Sequence, residues 1–510
     1  MTIKRDQPRF LKQPLRMFGV LILILGILGL TLTIIVTPTF ASNYLSQDHN
    51  ISDSRIVELL NYRLISGFVG GLLIVCGLLL LTLKNLERVE KLLKNALNTS
   101  PVTWVILGFS ISYLLFFVFP IFMSAQVMQF PMYLPAIDPI GIDLDQMLFY
   151  SESLFIRKQT PYVGSNLYPP LASILFGPLL TISISMAYRI ITLINVFCFA
   201  IITYLFPLKT SKNKKASSLL ILFFITGILS YGFQFELERG QFNVIAISLC
   251  FLAIRIFHFH FRYRYLAYFL FTLSVQLKVF PLIFIVMLIS NWQDWINNIK
   301  RLLMLGVVNI SLLFVLGPHI FVDFINAIAY QISTPYIWIG NHSIRSFIIL
   351  LFGPDYKYSG LIQIMLLAIV AFCILLVIYQ AYRNKQKGIN FVLLLACTLG
   401  ALLIPSVSHD YTLSILVAPV TMVFMEYEFL GKIGNPRLNK LFIVLLLIFS
   451  ITYSSTLFSY TYAQLFPFSY ESILTNKFPA LFIMLLATTL LSLMLNPIRK
   501  GPTGSLNLSD

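Results

Sequence analysis

Residues 170–184 read PLASILFGPLLTISI, and whether this segment crosses a membrane or lies along one decides the sidedness of everything after it. It is apolar, but shorter than the ~20 residues a spanning helix needs, and Gly177-Pro178 interrupts it. If it crossed, Lys209, Lys212, Lys214 and Lys215 would be pushed outside with much of the later basic charge. A helix lying in, or dipping into, the outer interface keeps that charge cytoplasmic, as the positive-inside rule requires. The second reading is adopted.

The rest of the chain supports a membrane setting. Of its 510 residues 58% are hydrophobic and 11% charged, with 45 Phe, against roughly a quarter charged in soluble domains. This is expected to be an all-α polytopic membrane protein with about 12 to 14 transmembrane helices. The apolar windows lie at 17–38, 64–83, 102–122, 188–206, 217–233, 242–257, 302–318, 359–382, 390–405, 411–427, 441–460 and 478–496. Residues 265–290, broken by Lys278 and Pro281, read as two short helices meeting near the outer side. The first window follows five basic residues and exceeds a signal-peptide core, so it reads as a retained span.

The net charge of +16 would point to nucleic acid in a soluble protein. Here most of the 36 Lys and Arg fall in loops that the adopted topology makes cytoplasmic, at 4–16, 84–94, 209–215, 255–264, 300–301, 383–387, 432–440 and 499–500. They read as orientation signals facing anionic membrane lipid, with no nucleic-acid partner. Both termini are then inside. The acidic loop before Pro170, residues 236–241, Lys278, the loop 319–357 and residues 406–411 all fall on the extracytoplasmic face. The five cysteines sit singly in apolar runs and imply neither disulfide nor metal site.

That acidic loop, residues 136–170, reads AIDPIGIDLDQMLFYSESLFIRKQTPYVGSNLYPP and gathers Asp138, Asp143, Asp145 and Glu152 in a chain poor in acids. A helix is predicted after Asp143, with Leu144, Met147, Leu148, Leu154 and Phe155 as its apolar stripe. Asp143 or Asp145 can cap that helix, and a paired acid at an interface also suits general-base work. Both readings hold for different members of the pair. Glu236, Glu238, Arg239 and Gln241 fall at a helix junction and can pair among themselves. Asn341, His342, Ser343 and Arg345, with Tyr330, Tyr336 and Trp338, suit a sugar, although aromatics there are also ordinary belt residues. His409 suits phosphate or acceptor, or a structural role. No His/Asp/Cys spacing calls for a metal, and no cofactor is expected.

In chain order, Asp143, Pro161-Tyr162, Tyr168-Pro169-Pro170-Leu171, Gly177-Pro178-Leu179, Gly240-Gln241-Phe242-Asn243, Lys278 with Pro281, Gly340-Asn341-His342-Ser343 and Ser408-His409 resemble glycosyltransferase family 87 of the C-type glycosyltransferase superfamily. The likeness covers roughly residues 100 to 430. It implies an inverting membrane hexosyltransferase, mannose favoured, that uses a polyprenyl-phosphate-linked sugar donor and a lipid or glycan acceptor outside a bacterial plasma membrane. By the resemblance Asp143 is the catalytic base, with Asp145 as the alternative.

A lipid phosphate needs cations at the interface, so Arg189, Lys278 and His409 are the expected donor-phosphate residues; an intramembrane cation is a functional signal, although snorkelling also explains one. Tyr162, Tyr168, Gln241, Asn243, Asn341, His342 and Ser343 are the expected sugar or acceptor contacts. Residues 101–430 would form the catalytic module, 1–100 a tail with two additional helices, and 431–510 the closing helices and tail. Where the family often has Gly before the Pro-Tyr pair, this chain has Arg157-Lys158-Gln159; where it often has an aromatic before the late His, this chain has Val407-Ser408. The rival class is a transporter or flippase of lipid-linked saccharides. Transporters tend to carry repeated broken helices, whereas this sequence shows one interrupted pair and no repeat.

Overall fold

The computed structural model describes residues 141–162, 166–210, 217–228, 230–334, 337, 340–384, 388–430 and 476–495, with a few helical positions before residue 80. The windows at 17–38, 64–83, 102–122 and 441–460, together with Asp138, Tyr336 and Trp338, lie wholly or almost wholly outside these residues. Two units divide the chain. One comprises Met1–Ser100, Leu351–Ser359 and Tyr462–Ser472, and the other Pro101–Leu350, Gly360–Thr461 and Ile473–Asp510.

The described residues are helical, and no strand occurs among them. The helices that matter for the site are α1 (Ile142–Phe155), α2 (Pro170–Phe176), α3 (Ile184–Ala200), α4 (Ser217–Ile228), α5 (Tyr231–Arg239), α6 (Asn243–Phe259) and α7 (Arg264–Leu277). Among the described residues two helical runs are long and apolar enough to cross a membrane, Ile184–Lys209 and Ser359–Arg383. A third candidate is broken, with Gly232–Arg239 and Asn243–Phe259 meeting at 114°. The expected total of 12 to 14 extends beyond the described residues. The helices Trp295–Leu312, Phe391–Leu403 and Phe478–Met494 occupy three of the remaining expected windows.

The decisive segment is short. α2 has 7 residues, about 10 Å of helix, and a 3₁₀ turn, Gly177–Thr181, follows. It is far too short to cross a hydrocarbon core of about 30 Å. Proline at its first position costs no hydrogen bond, because that N–H would be orphaned anyway. α2 packs on α1 where the Ser151 hydroxyl donates to the Ser173 carbonyl at 2.8 Å, and Phe176 meets Phe242 at a ring-centroid distance of 4.7 Å.

This packing corrects the predicted stripe of α1. Leu144, Met147 and Leu148 are buried as expected. Beyond them Tyr150, Ser151 and Ser153 turn inward, while Phe155 is exposed and Leu154 only partly covered. Serine at 151 and 153 lets a neighbour approach closely and returns its hydroxyl to backbone carbonyls, so small residues take the place that hydrophobic periodicity assigned to large ones.

The break at Lys278 is as read from sequence. α7 stops at Leu277, Lys278 adopts an extended backbone with φ −147° and ψ 137°, and Phe280-Pro281 opens a 3₁₀ helix, Phe280–Leu288. A proline cannot continue the donor ladder, which ends the first helix just where the lysine stands.

Candidate active site

Two glycines fix the position of Asp143. Gly141 precedes α1 at φ 70° and Gly240 ends α5 at φ 68°. The Gly141 N–H donates to the Glu238 carbonyl at 2.8 Å. A Cβ on Gly240 would stand 2.9 Å from the Leu144 Cβ and 3.2 Å from the Gly141 Cα. The first turn of α1 is thus pressed, backbone to backbone, against the end of α5, which only glycine at both positions permits. Gly240→Ala is expected to cost about 1–3 kcal/mol through its left-handed φ and the clash, read as a lower thermal midpoint in detergent. Gly306→Ala, with nothing within 4 Å of its added Cβ, is the control and should leave the midpoint unchanged or raise it.

Asp143 does not cap its helix. The N-cap is Gly141, with no side-chain cap bond, and the carboxylate instead reaches across to α5. Its Oδ1 accepts from Arg239 Nη2 at 2.9 Å and its Oδ2 from Gln241 Nε2 at 2.6 Å. Gln241 Oε1 in turn accepts from Lys278 Nζ at 2.8 Å. The amide orientation follows from its neighbours, nitrogen toward the carboxylate and oxygen toward the ammonium. Lys278 Nζ also donates to Tyr168 Oη at 3.2 Å and lies 4.4 Å and 4.5 Å from the ring centroids of Tyr168 and Phe242. Those two faces hold the cation where solvent is scarce.

The break between α5 and α6 is held by a fully buried carboxylate. Glu236 accepts from the Val244 N–H at 2.8 Å, which satisfies an orphan donor at the start of α6, and from the Ser414 hydroxyl. Asn195 Nδ2 donates to the Gln241 carbonyl at 2.6 Å. So 236–241 is a helix junction, as expected, but Arg239 and Gln241 pair with α1 rather than with their neighbours. The loop before α2 is also pinned. Tyr162 Oη donates to the Tyr168 carbonyl at 2.9 Å, and Asn166 bridges the Pro161 carbonyl and the Tyr168 N–H at 2.8 and 3.0 Å. Burial and then the Asp143 charge push the Tyr168 phenol above its ordinary range, so it remains a neutral hydroxyl beside the carboxylate.

Residues 166–406 match the model of glycosyltransferase family 87. Over these residues, just under half of its length, the chain is similar to glycosyltransferase family 87. It is therefore a membrane glycosyltransferase. Tyr168, Gln241 and Lys278 lie inside the matched region, whereas Asp143 lies well before it and His409 just after it. No curated protein and no solved structure matches the chain significantly.

His409 is held in a late loop. Asn341 and His409 form an antiparallel bridge, tightened by the His342 N–H to the Ser408 carbonyl and the Asp410 N–H to the Gly340 carbonyl, both at 2.9 Å. Asn341, His342 and Ser343 are 0% exposed. They are the inner side of this brace and do not reach open space. His342 Nδ1 lies 3.2 Å from Asp410 Oδ1 and its Nε2 2.9 Å from Ser408 Oγ. That is the atom order of a Ser-His-Asp relay, but Ser408 and Asp410 are only 3% and 2% exposed. The relay is a strut for the loop.

His409, beside this strut, gives a pH signature. Burial pushes His409 down to about 4, opposed by the Asp143 charge, so the fold favours neutral imidazole. A base whose folded pKa lies below its unfolded value of ~6.5 stabilises the fold above that value, and the stabilisation is lost as pH falls toward the folded value. Between about pH 6.5 and 4 the wild type should lose thermal stability relative to His409→Asn. Parallel midpoint curves for the two proteins would show that this imidazole does not contribute.

The remaining expected residues fall elsewhere. Asp145 is exposed on α1, and Arg189 is exposed on α3 with no ion pair to a described residue. Asn243 begins α6, buried, with its Nδ2 lacking a described partner. Glu152 pairs with Arg157 at 3.0 Å. Among the described residues no group of three or more His, Cys, Asp or Glu is placed to hold a metal. Arg239 and Phe242 are the two site residues missing from the expected set. Arg239 was read only as a pairing residue of the helix junction and Phe242 only as part of the Gly240–Asn243 motif.

Proposed function

We propose that this transferase moves a hexose, mannose favoured by the resemblance, from a polyprenyl-phosphate-sugar to a lipid- or glycan-linked acceptor on the extracytoplasmic face of the plasma membrane. The fold proposed is the C-type one, with both termini cytoplasmic. The observation that carries the reading is one carboxylate, Asp143, linked directly to Arg239 and through Gln241 to Lys278. An acceptor hydroxyl attacks the anomeric carbon, the bond from that carbon to the phosphate oxygen breaks, and the phosphate leaves with the electron pair. Asp143 takes the hydroxyl proton, while Arg239 and Lys278 stabilise the leaving oxygens.

The neutral Tyr168 hydroxyl and the Asn243 amide are polar groups suited to the sugar, with Tyr162 behind Tyr168. The convergence of residues 141–143, 236–241, 278 and 406–411 at one place supports the one-sided arrangement inferred from basic charge. Purified protein in nanodiscs, given a panel of radiolabelled polyprenyl-phosphate hexoses and a membrane lipid extract, should transfer label from at least one donor. Silence across the whole panel would sink the donor assignment.

A further inference from the structure

Arg239 is oddly used for a guanidinium at such a site. Of its five N–H groups one bonds to Asp143, at 2.9 Å. Its Nε is buried with no hydrogen-bond partner among the described residues, while the side chain as a whole is 34% exposed. A buried, unsatisfied donor on a cation is costly in a resting protein and well suited to an anion that arrives later. The planar fork matches phosphate oxygens in pairs, which a single carboxylate oxygen does not use.

Asp143 is not dependent on this one partner. Its second oxygen is held by Gln241, and Gln241 is fixed from its other end by Lys278 and through its backbone by Asn195. The glycine contact at 141 and 240 fixes the start of the helix independently. Removing the guanidinium therefore leaves the carboxylate in place with one oxygen uncovered. That is the oxygen a general base needs.

We propose that Arg239 is a donor-operated latch. In the resting enzyme it covers Oδ1 of Asp143; when the lipid phosphate binds, the guanidinium turns to it, satisfies its idle donors and frees Oδ1 to receive the acceptor proton. The base is then competent only when donor is present. This rests on the reading of Asp143 as base and polyprenyl phosphate as donor group.

The test needs no turnover and no sugar. Affinity for polyprenyl monophosphate in nanodiscs is measured for wild type, Arg239→Gln, Asp143→Asn and the double variant. Arg239→Gln should weaken binding about tenfold, as for the loss of one charge-assisted interaction, and Arg239→Lys should recover only part of it. Asp143→Asn should tighten binding several-fold, because it removes the phosphate's competitor for the guanidinium. In the Arg239→Gln background the same change should have little effect.

Equal tightening in both backgrounds would mean simple charge repulsion and overturn the latch while leaving the donor reading intact. Weaker binding by Asp143→Asn would show a structural ion pair and also overturn it. Failure of wild type to bind the probe would overturn the donor reading itself.

Discussion

Asp143→Asn is expected to reduce transfer by about 10²- to 10⁴-fold, the usual range for loss of a positioned general base, without weakening capture of the lipid phosphate. The substitution keeps size and shape. It replaces one carboxylate oxygen with an NH₂ that cannot take a proton and cannot accept from Gln241. With Gln241 held by Lys278, the remaining oxygen of the new amide stays on Gln241 Nε2 and its NH₂ faces the Arg239 guanidinium, which then has nothing there to donate to. The expected signature is a fall in kcat with the KM for donor unchanged or lower. Asp145→Asn is the sharp comparison, since that carboxylate is exposed on the same helix and takes no part in the Arg239–Gln241 network. It should retain most of the transfer activity. Comparable losses in the two variants would remove Asp143 from its assigned role.

The parts of this site legible in the sequence were those that violate the local composition. An acidic loop among apolar spans, a lysine inside one, and a Gly-Gln-Phe-Asn turn at a break all stand out without knowledge of contacts. Asp143, Gln241 and Lys278 lie far apart in the chain, yet hydrogen bonds of 2.6 and 2.8 Å join them. The window at 217–233 shows the limit for helices. Hydropathy alone runs through the end of α4 at Ile228 and into α5, because Ser230, which starts α5 by accepting from the Phe233 N–H, is small enough not to break the apolar run.

What the sequence withheld was direction. Asn341, His342 and Ser343 read as sugar contacts because polar residues in an external loop look alike whether they face solvent or another loop. Their partners, the Ser406 carbonyl, Ser408 and Asp410, come more than sixty residues later, and no local pattern announces that pairing. Arg239 was hidden for the opposite reason. Beside Glu236 and Glu238 it has acidic neighbours enough to account for it, and only the close approach of α1 to the backbone at Gly240 brings Asp143 within its reach.

Lys278→Met should lower turnover by about 10²-fold or more, and by a different route from Asp143→Asn. Methionine fills the space between Tyr168 and Phe242 with similar reach and tolerates their ring faces, so packing changes little. What disappears is the ammonium that orients Gln241 and thereby holds Oδ2 of Asp143, together with a positive charge proposed to meet the leaving phosphate. A buried amide oxygen without its donor costs about 1–3 kcal/mol, enough to let the amide rotate and release the carboxylate. Both kcat and donor affinity should therefore fall, in contrast to the Asp143 variant. Lys278→Arg should not restore activity, because a planar fork is wider than the ammonium now seated 4.4 and 4.5 Å from two ring centroids and cannot present one nitrogen to Gln241 from the same place. Near-wild-type kinetics in Lys278→Met would mean that the lysine only snorkels toward the interface, and that the coupling of acid, amide and ammonium is not what drives transfer.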